Sequence, residues 1–327
     1  MSDIDHILNE RILVLDGAMG TMIQRYALDE AVFRGEHFAY HNTPLLGCYD
    51  VLNITAQHII SDIHCAYLDA GADIITTNTF NANALSLAQY NLQEYVTEIN
   101  LSAATLARKV ADRYTTLTPD KQRWVAGSVG PTTLNCSTSG GHADKTFDLL
   151  VDTYAKQMEA LITGGVDVLL VETICDQKNA QAAIQAAERA MTQAHRTLPI
   201  MLSITTTHSG TMLSGHTLDT FIASVCQAPI LSVGINCSYG ATTLLPHLRT
   251  LSRLAPCYIS IHPNAGLPDN AGAYHTTASD IAEMMQSIID EGVVNIVGGC
   301  CGTTPQLTAL LCQATKGATP RAIPSIS

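Results

Sequence analysis

Short apolar runs alternate with longer segments of helical periodicity along most of the 327 residues. In one helical segment, apolar residues recur at i, i+3, i+4 and i+7, as at Ala56, Ile59, Ile60 and Ile63. The runs with the length of buried strands are Ile12 to Leu15, Asp73 to Thr77, Trp124 to Val129, Val168 to Val171, Ile200 to Ile204, Leu231 to Ile235, Tyr258 to Ile261 and Val294 to Val297. This alternation is typical of βα units around a parallel sheet.

Eight such units in about 300 residues predict an α/β fold, a single-domain (β/α)8 TIM-type barrel over residues 1–315. Residues 316–327, with Pro320 and Pro324, are interpreted as a C-terminal tail or linker. A doubly wound open sheet is the alternative fold. No GxGxxG or Walker-type loop follows a strand, so nothing indicates a dinucleotide or nucleoside triphosphate site. The long irregular stretch from Tyr26 to Asn53 is expected to form a lid or a partner surface.

Polar residues collect where the predicted strands end. In a barrel, the C-terminal ends of all strands meet at one mouth, where catalytic residues lie. The strand-end residues are Asp16, Thr77, Asn78, Glu172, Cys237, His262, Asn264, Cys300 and Cys301. One mouth is therefore expected to hold two carboxylates and three thiols.

The adjacent cysteines Cys300 and Cys301, in a glycine-rich turn, suggest a metal site. Two thiolates cannot complete a tetrahedral zinc site, and Cys237 is the best third ligand because it also ends a strand. Three sulfurs would leave one coordination position open, as in catalytic zinc sites. Two ordinary interpretations remain: inert buried cysteines, or a strained vicinal disulfide between Cys300 and Cys301 that a reducing compartment disfavours.

Zinc held by three thiolates is suited to binding a fourth, exogenous thiol. A free thiol with a pKa near 8.5 is only about 3% ionised at pH 7, and a metal converts it to the thiolate. Asp16 and Glu172 could receive an ammonium group, and the backbone amides of Gly17, Ala18 and Met19 a carboxylate. The implied substrate is a zwitterionic thiol amino acid.

Each of the other strand-end residues also has a structural interpretation. Asp16 could cap the next helix, and Glu172 could pair with a cation inside the barrel. Asn78 and Asn264 could orient loops at the mouth or simply occupy turns. The remaining candidates are histidines that we expect to be satisfied by local hydrogen bonds rather than by a metal: His208, His216 and His262.

Composition narrows the class of protein further. The formal net charge of −12, without a lysine and arginine cluster, argues against nucleic acid as a partner. Ten cysteines without a CxxC motif are expected to be reduced, metal-bound or catalytic. The N-terminus is acidic, without a basic region before an apolar core, and no apolar run approaches the ~20 residues that span a bilayer. A cytoplasmic protein with no membrane partner is expected.

Six motifs in chain order resemble those of the homocysteine S-methyltransferases. They are Leu15 to Thr21, Gly71 to Phe80, Gly130-Pro131-Thr132, Asn236-Cys237, Pro263 to Pro268 and Gly298 to Thr303. The segment around Phe33-Arg34-Gly35-Glu36 is similar to the homocysteine-binding modules of cobalamin-dependent methionine synthases. The resemblance implies a zinc-binding barrel with Cys237, Cys300 and Cys301 as ligands, and with Asp16 and Glu172 on the homocysteine amino group.

The resemblance also implies a reaction and partners. Homocysteine would bind zinc through sulfur and attack the methyl group of methylcobalamin to give methionine, with cobalamin-binding and folate-binding modules as partners. The chain stops where those modules would follow, so an excised module, or a donor carried by another protein, is expected. The alternatives are a stand-alone enzyme that uses S-methylmethionine or another sulfonium, and a non-catalytic thiol-binding or redox-sensing barrel. The loop Asn135–Gly141 departs from the family pattern, and its role is open.

Overall fold

The computed structural model describes residues 3–270 and 272–324. The interpretations of Met1, Ser2 and residues 325–327 lie outside these ranges. The strands are β1 Leu13–Val14, β2 Ile74–Thr76, β3 Trp124–Val129, β4 Val168–Ile174, β5 Ile200–Ile204, β6 Ile230–Cys237, β7 Tyr258–Pro263 and β8 Ile296–Val297. The helices are α1 Asp3–Glu10, α2 Met19–Gln24, α3 Glu30–Arg34, α4 Leu52–Thr55, α5 Gln57–Asp69, α6 Ala84–Leu87, α7 Val96–Leu117, α8 Ala143–Thr163, α9 Gln177–Gln193, α10 Leu218–Val225, α11 Ala241–Leu254, α12 Ala278–Asp290 and α13 Pro305–Ala314.

The strands form one parallel sheet in the order β1-β8-β7-β6-β5-β4-β3-β2. A single parallel bridge between Leu15 and Ile74 joins the two ends of this sheet, so the barrel is nearly closed. The predicted (β/α)8 barrel is confirmed, and the open-sheet alternative is wrong. No helix in the described ranges is both long enough and apolar enough to cross a membrane.

The period of two along each strand divides the core into two layers. Outward residues such as Val171 and Ile261 pack against the helices. The inward residues toward the N-terminal ends of the strands are apolar, and Ile4 and Leu8 of α1 cover them. Farther up, the inward residues become small and polar, as at Ser203 and Ser260. The barrel therefore has an apolar floor and a polar mouth.

Three polar residues at the floor each directly precede a strand. Asp73 accepts two hydrogen bonds from the Arg11 guanidinium, both at 2.9 Å, and lies 3.3 Å from Lys121 Nζ. Asp167 pairs with Arg108. Asn295 accepts from the Ile259 amide at 3.0 Å. Every one of these buried or half-buried polar groups has a partner inside the chain.

The stretch expected to be a lid or partner surface is part of the wall of the mouth. Phe33, Phe38 and Leu45 are at most 3% exposed and belong to the core. Asp29 caps α3 through the Val32 amide. Burial of three large apolar side chains fixes this segment against the barrel.

Residues 316–324 contain no helix or strand. Arg321 is nevertheless buried, and its guanidinium donates to the carbonyl oxygens of Ser252, Ala255 and Cys257 at 2.7 Å each. The described part of the segment is thus fastened to the floor of the barrel. The domain boundary at residue 315 stays a prediction.

Candidate active site at the mouth of the barrel

A cavity of about 440 Å³ opens at the C-terminal ends of the strands. It brings together nearly all the strand-end residues predicted to form a site. The predicted residues that line it are Asp16, Gly17, Ala18, Met19, Asn78, Glu172, Cys237, Cys300 and Cys301. None of its described lining residues is a lysine or an arginine. The walls are therefore acidic and sulfur-rich, without a compensating fixed cation.

The three thiols form a cluster that could hold a metal ion. The Sγ atoms of Cys237 and Cys301 are 3.7 Å apart, and those of Cys300 and Cys301 are 3.9 Å apart. Zn–S bonds of ~2.3 Å at tetrahedral angles place two sulfurs about 3.8 Å apart, so both separations suit one shared ion. The Cys237–Cys300 separation of 2.9 Å is shorter, and all three residues are free cysteines.

Proximity makes the three thiols electrostatically unequal. Hydrogen bonds from the Cys237 and Cys300 thiols lower the pKa of Cys301. Contacts with the Cys237 and Cys301 sulfurs raise the pKa of Cys300. Metal binding requires deprotonated sulfur, and a cluster in which one thiol ionises readily is suited to starting that process.

Local backbone geometry aims the thiols. Cys237 and Ser238 are consecutive non-glycine residues in the left-handed region, with φ of 53° and 60°. Each costs about 1–2 kcal/mol relative to ordinary backbone. On the β8 side, the Cys300 amide donates to Pro263 O at 2.9 Å, and Gly302 turns the chain with φ of 80°. Strain of this kind concentrates at functional sites.

Asp16 is buried and Glu172 is half-buried, and both lack a cation partner among the described residues. Asp16 accepts from the Thr76 amide at 2.8 Å and from its hydroxyl at 3.1 Å, and burial raises the pKa of Asp16. Glu172 accepts from Ser128 Oγ, and burial raises the pKa of Glu172 to about 7. Asp16 does not cap the next helix, because Ala18 occupies the N-cap of α2. Glu172 forms no ion pair with a described residue.

The turn Gly17-Ala18-Met19 lies directly before and at the start of α2. Gly17 is closely packed, since an added Cβ would lie 2.8 Å from Thr303 Oγ1 and 3.0 Å from Tyr67 Oη. The Ala18 amide already donates to Thr303 Oγ1 at 3.3 Å. The role of these three amides toward a substrate carboxylate stays a prediction.

The two asparagines differ in position. Asn78 lines the cavity, and its side chain donates to Tyr49 O at 2.7 Å, which ties β2 to the preceding wall. Asn264 follows β7 and is buried, but it is not among the lining residues. The structure thus gives Asn78 the loop-orienting contact and leaves Asn264 beside the site.

The histidine expectation needs one correction. His216 has a local partner, Ser214 Oγ, at 3.0 Å, and His208 stacks edge-on against Tyr239. His262 lines the cavity, is 2% exposed, and has no partner for Nε2. Burial lowers the pKa of His262 to about 4, so the ring is neutral. The ring was expected to be satisfied by local hydrogen bonds, but its Nε2 atom is buried without one.

The unassigned loop from Asn135 is anchored to α9. The Cys136 amide donates to Asn179 Oδ1 at 3.1 Å, and the Ser137 amide donates to Asp176 Oδ2 at 2.9 Å. Asp176 also caps α9 through the Lys178 and Asn179 amides. The contacts of this loop hold it against the start of α9, beside the mouth.

Several residues of the site were assigned no role from the sequence, although Asn236 belongs to one of the six family motifs. Ser128, Thr173 and Tyr274 line the cavity, and Asn236 lies directly behind the thiols. A usable signal existed for Asn236, which is a polar residue at an inward position near the end of an otherwise apolar strand. Tyr274 carries no such signal because it lies in a loop.

An eight-stranded barrel with acids and three clustered thiols at its mouth has the architecture of a barrel enzyme, and the thiol cluster could hold a metal ion. The family model of homocysteine S-methyltransferase matches residues 13–315. The chain belongs to the homocysteine S-methyltransferase family. Its activity is therefore methyl transfer to homocysteine, which sets the non-catalytic interpretation aside.

Solved structures are similar in fold. The oxidized form of the homocysteine methyltransferase MmuM from Escherichia coli matches with a TM-score of 0.72 at 22% identity, over 93% of this chain and 96% of that chain. Its metallated form matches with a TM-score of 0.69 at 22% identity and the same coverage. A 2-naphthoyl-CoA reductase complex matches with a TM-score of 0.52 at 12% identity, over 78% of this chain and 46% of that one. At these identities the likeness shows the fold alone.

Proposed function

We propose that this chain binds zinc at Cys237, Cys300 and Cys301 and methylates the homocysteine sulfur, with methylcobalamin carried by another module or protein as the donor and methionine as the product. The observation that carries the proposal is the thiol cluster, which opens into a cavity lined by Asp16 and Glu172, two carboxylates without a cation partner among the described residues. No other set of His, Cys, Asp and Glu side chains in the described ranges converges in this way.

The donor set fits the metal. Three thiolates match the preference of zinc for sulfur, and two of the three sulfur separations agree with tetrahedral Zn–S geometry. When bound, zinc would hold a fourth sulfur as the thiolate near neutral pH.

Other residues of the cavity would bind the ammonium group, the carboxylate and the methylene chain of homocysteine. Its ammonium group would pair with Asp16 and Glu172, which have no cation partner in the described part of the chain. Its carboxylate would lie at the Gly17-Ala18-Met19 turn, near the N-terminus of α2. Met19 and Tyr49, which line the same cavity, would cover the methylene chain and exclude water.

The rim of the mouth supports a large donor-bearing partner. Four apolar side chains on loops that follow strands are exposed: Leu46 by 56%, Phe80 by 37%, Leu213 by 64% and Leu267 by 61%. Exposed apolar side chains around a site favour contact with another protein surface. The similarity of the Phe33 to Asn53 wall to cobalamin-dependent methionine synthases agrees with this.

One observation favours a second donor, S-methylmethionine or another sulfonium. Asp50 is a third buried carboxylate that lines the cavity, and it forms no ion pair within the described chain. Homocysteine brings only one ammonium group, so a cationic donor would supply further compensation.

The test is homocysteine-dependent demethylation of free methylcobalamin by the purified chain, followed by the cobalamin spectrum. We expect demethylation that a zinc chelator abolishes and added zinc restores. A parallel reaction with S-methylmethionine separates the donors. Turnover with the sulfonium and none with methylcobalamin would replace the first donor with the second. A fully active zinc-free chain would contradict the proposed metal.

A further inference from the structure

Asn236 connects the thiol side of the mouth to the carboxylate side. It is the next-to-last residue of β6, directly before Cys237, and it is fully buried. Its side chain points into the barrel and reaches across β5 to β4. The residue it reaches is Thr173, directly after Glu172.

Both the oxygen and the nitrogen of the Asn236 side-chain amide form hydrogen bonds. Its Oδ1 accepts from the Thr173 amide at 3.0 Å and from Ser203 Oγ at 2.7 Å. Its Nδ2 donates to Thr173 Oγ1 at 2.8 Å and lies 3.9 Å from Cys300 Sγ. One planar group therefore fixes the ends of β4, β5 and β6 together and contacts the thiol from β8.

These contacts hold backbone that would not keep its shape alone. Thr173 has a φ of 60°, and Cys237 has a φ of 53°. Both are non-glycine residues in the left-handed region, and Thr173 is β-branched, which makes that conformation more costly. The pairing of β4 with β5 also shifts register between Val171 and Ile174, so the regular ladder does not fix Thr173. The side chain of Asn236 replaces the missing ladder contacts.

We propose that Asn236 is a positioning residue that fixes the Cys237 thiol relative to Cys300 and to the Glu172 carboxylate, so that its loss weakens metal binding and homocysteine binding together. The inference rests on the proposed function for the identity of the two ligands. The geometry on which it rests, a side-chain amide that joins two strained strand ends, does not depend on the methyl donor.

The floor of the barrel supplies a matched control. Asn295 is also fully buried and also bridges chain segments, accepting from the Ile259 amide at 3.0 Å and donating to Arg321 O at 2.8 Å. It lies at the opposite ends of the strands. Asn295→Ala therefore removes a comparable set of bonds without touching the mouth.

The experiment compares Asn236→Ala and Asn295→Ala in the full chain. Zinc affinity is measured by competition with a chromophoric chelator, the thiolate-to-metal absorption by cobalt substitution, and the KM for homocysteine by turnover. We expect Asn236→Ala to lose about tenfold or more in zinc affinity, to alter the cobalt spectrum and to raise the KM. Asn295→Ala should lower the melting temperature with zinc affinity, spectrum and KM unchanged.

Equal zinc affinity in Asn236→Ala and wild type would overturn the inference, as would an equal loss in Asn295→Ala. If Asn236→Ala fails to fold, Thr173→Val removes one end of the same contact and should change zinc affinity and KM in the same direction by less. Absence of zinc binding by the wild-type chain would instead contradict the proposed function. The two failures are therefore distinguishable.

Discussion

The two ends of this barrel carry the same kinds of polar residue in opposite circumstances. At the floor, Asp73 and Asp167 pair with arginine side chains. At the mouth, Asp16 is as buried as Asp73 and Glu172 is half-buried, but both meet only hydroxyl and amide donors. A buried charge with a cation partner is compensated within the fold, whereas a buried charge without one raises the free energy of the fold until a ligand compensates it. The floor is therefore built for stability and the mouth for binding.

The largest effect should come from the thiols. Cys237→Ala or Cys301→Ala removes a sulfur from the cluster, and we expect loss of stoichiometric zinc together with methyl transfer. Cys312→Ala is the floor control, because that thiol lies against Gly71 at the other end. Metal content by atomic absorption and turnover of the three variants provide the measurement. Full zinc content in Cys237→Ala would contradict the assignment of metal binding to the thiols at the mouth.

Asp73→Asn should destabilise the protein without changing the site. Arg11 and Lys121 would lose their partner, at a cost of about 3 kcal/mol for a buried acid with partly exposed cations. The free energy of unfolding from urea titration measures the loss. Homocysteine KM, measured well below the melting temperature, should match wild type. A raised KM at unchanged stability would show that the floor also serves binding.

Glu172→Gln should weaken homocysteine binding without lowering the stability of the protein. The amide keeps an acceptor for Ser128 but cannot neutralise an ammonium group, so we expect the KM for homocysteine to rise about tenfold or more. The free energy of unfolding should not fall, because a half-buried carboxylate without a cation partner is replaced by a neutral group. Steady-state kinetics and urea titration on one preparation test both statements. Lower stability with an unchanged KM is the outcome that counts against the assignment.

The smallest effect concerns pH. Burial raises the pKa of Asp50 from 3.8 to about 7, so the folded state holds a proton that the unfolded state releases. The stabilisation from this proton is complete below the unfolded pKa and is lost as the pH rises through about 7. Asp50→Asn lacks this dependence but keeps the acceptor for the Asn81 amide. Between pH 6 and pH 8, wild type should lose about 1–2 kcal/mol relative to the variant, and parallel curves would contradict the shift.

The strand ends show how far sequence reasoning reaches. The residue type and position of Asp16, Glu172 and the three cysteines were sufficient to place them at one mouth, because all strands of a parallel barrel point the same way. Asn264 was expected at the site by the same rule, but it is not among the residues that line the cavity. Position after a strand does not determine which way a side chain points.

The sequence by itself determined the barrel, its direction and the residue types at its mouth, because apolar periodicity and strand-end position are local properties of the chain. Tertiary structure alone decided which charges are paired, since Asp16 meets Thr76 at a separation of 60 residues. Tertiary structure also determined the left-handed backbone at Cys237 and the hydrogen bond between the neighbouring Asn236 and Thr173. Asn236 and Thr173 are 63 residues apart, and only closure of the barrel brings such positions within hydrogen-bonding distance.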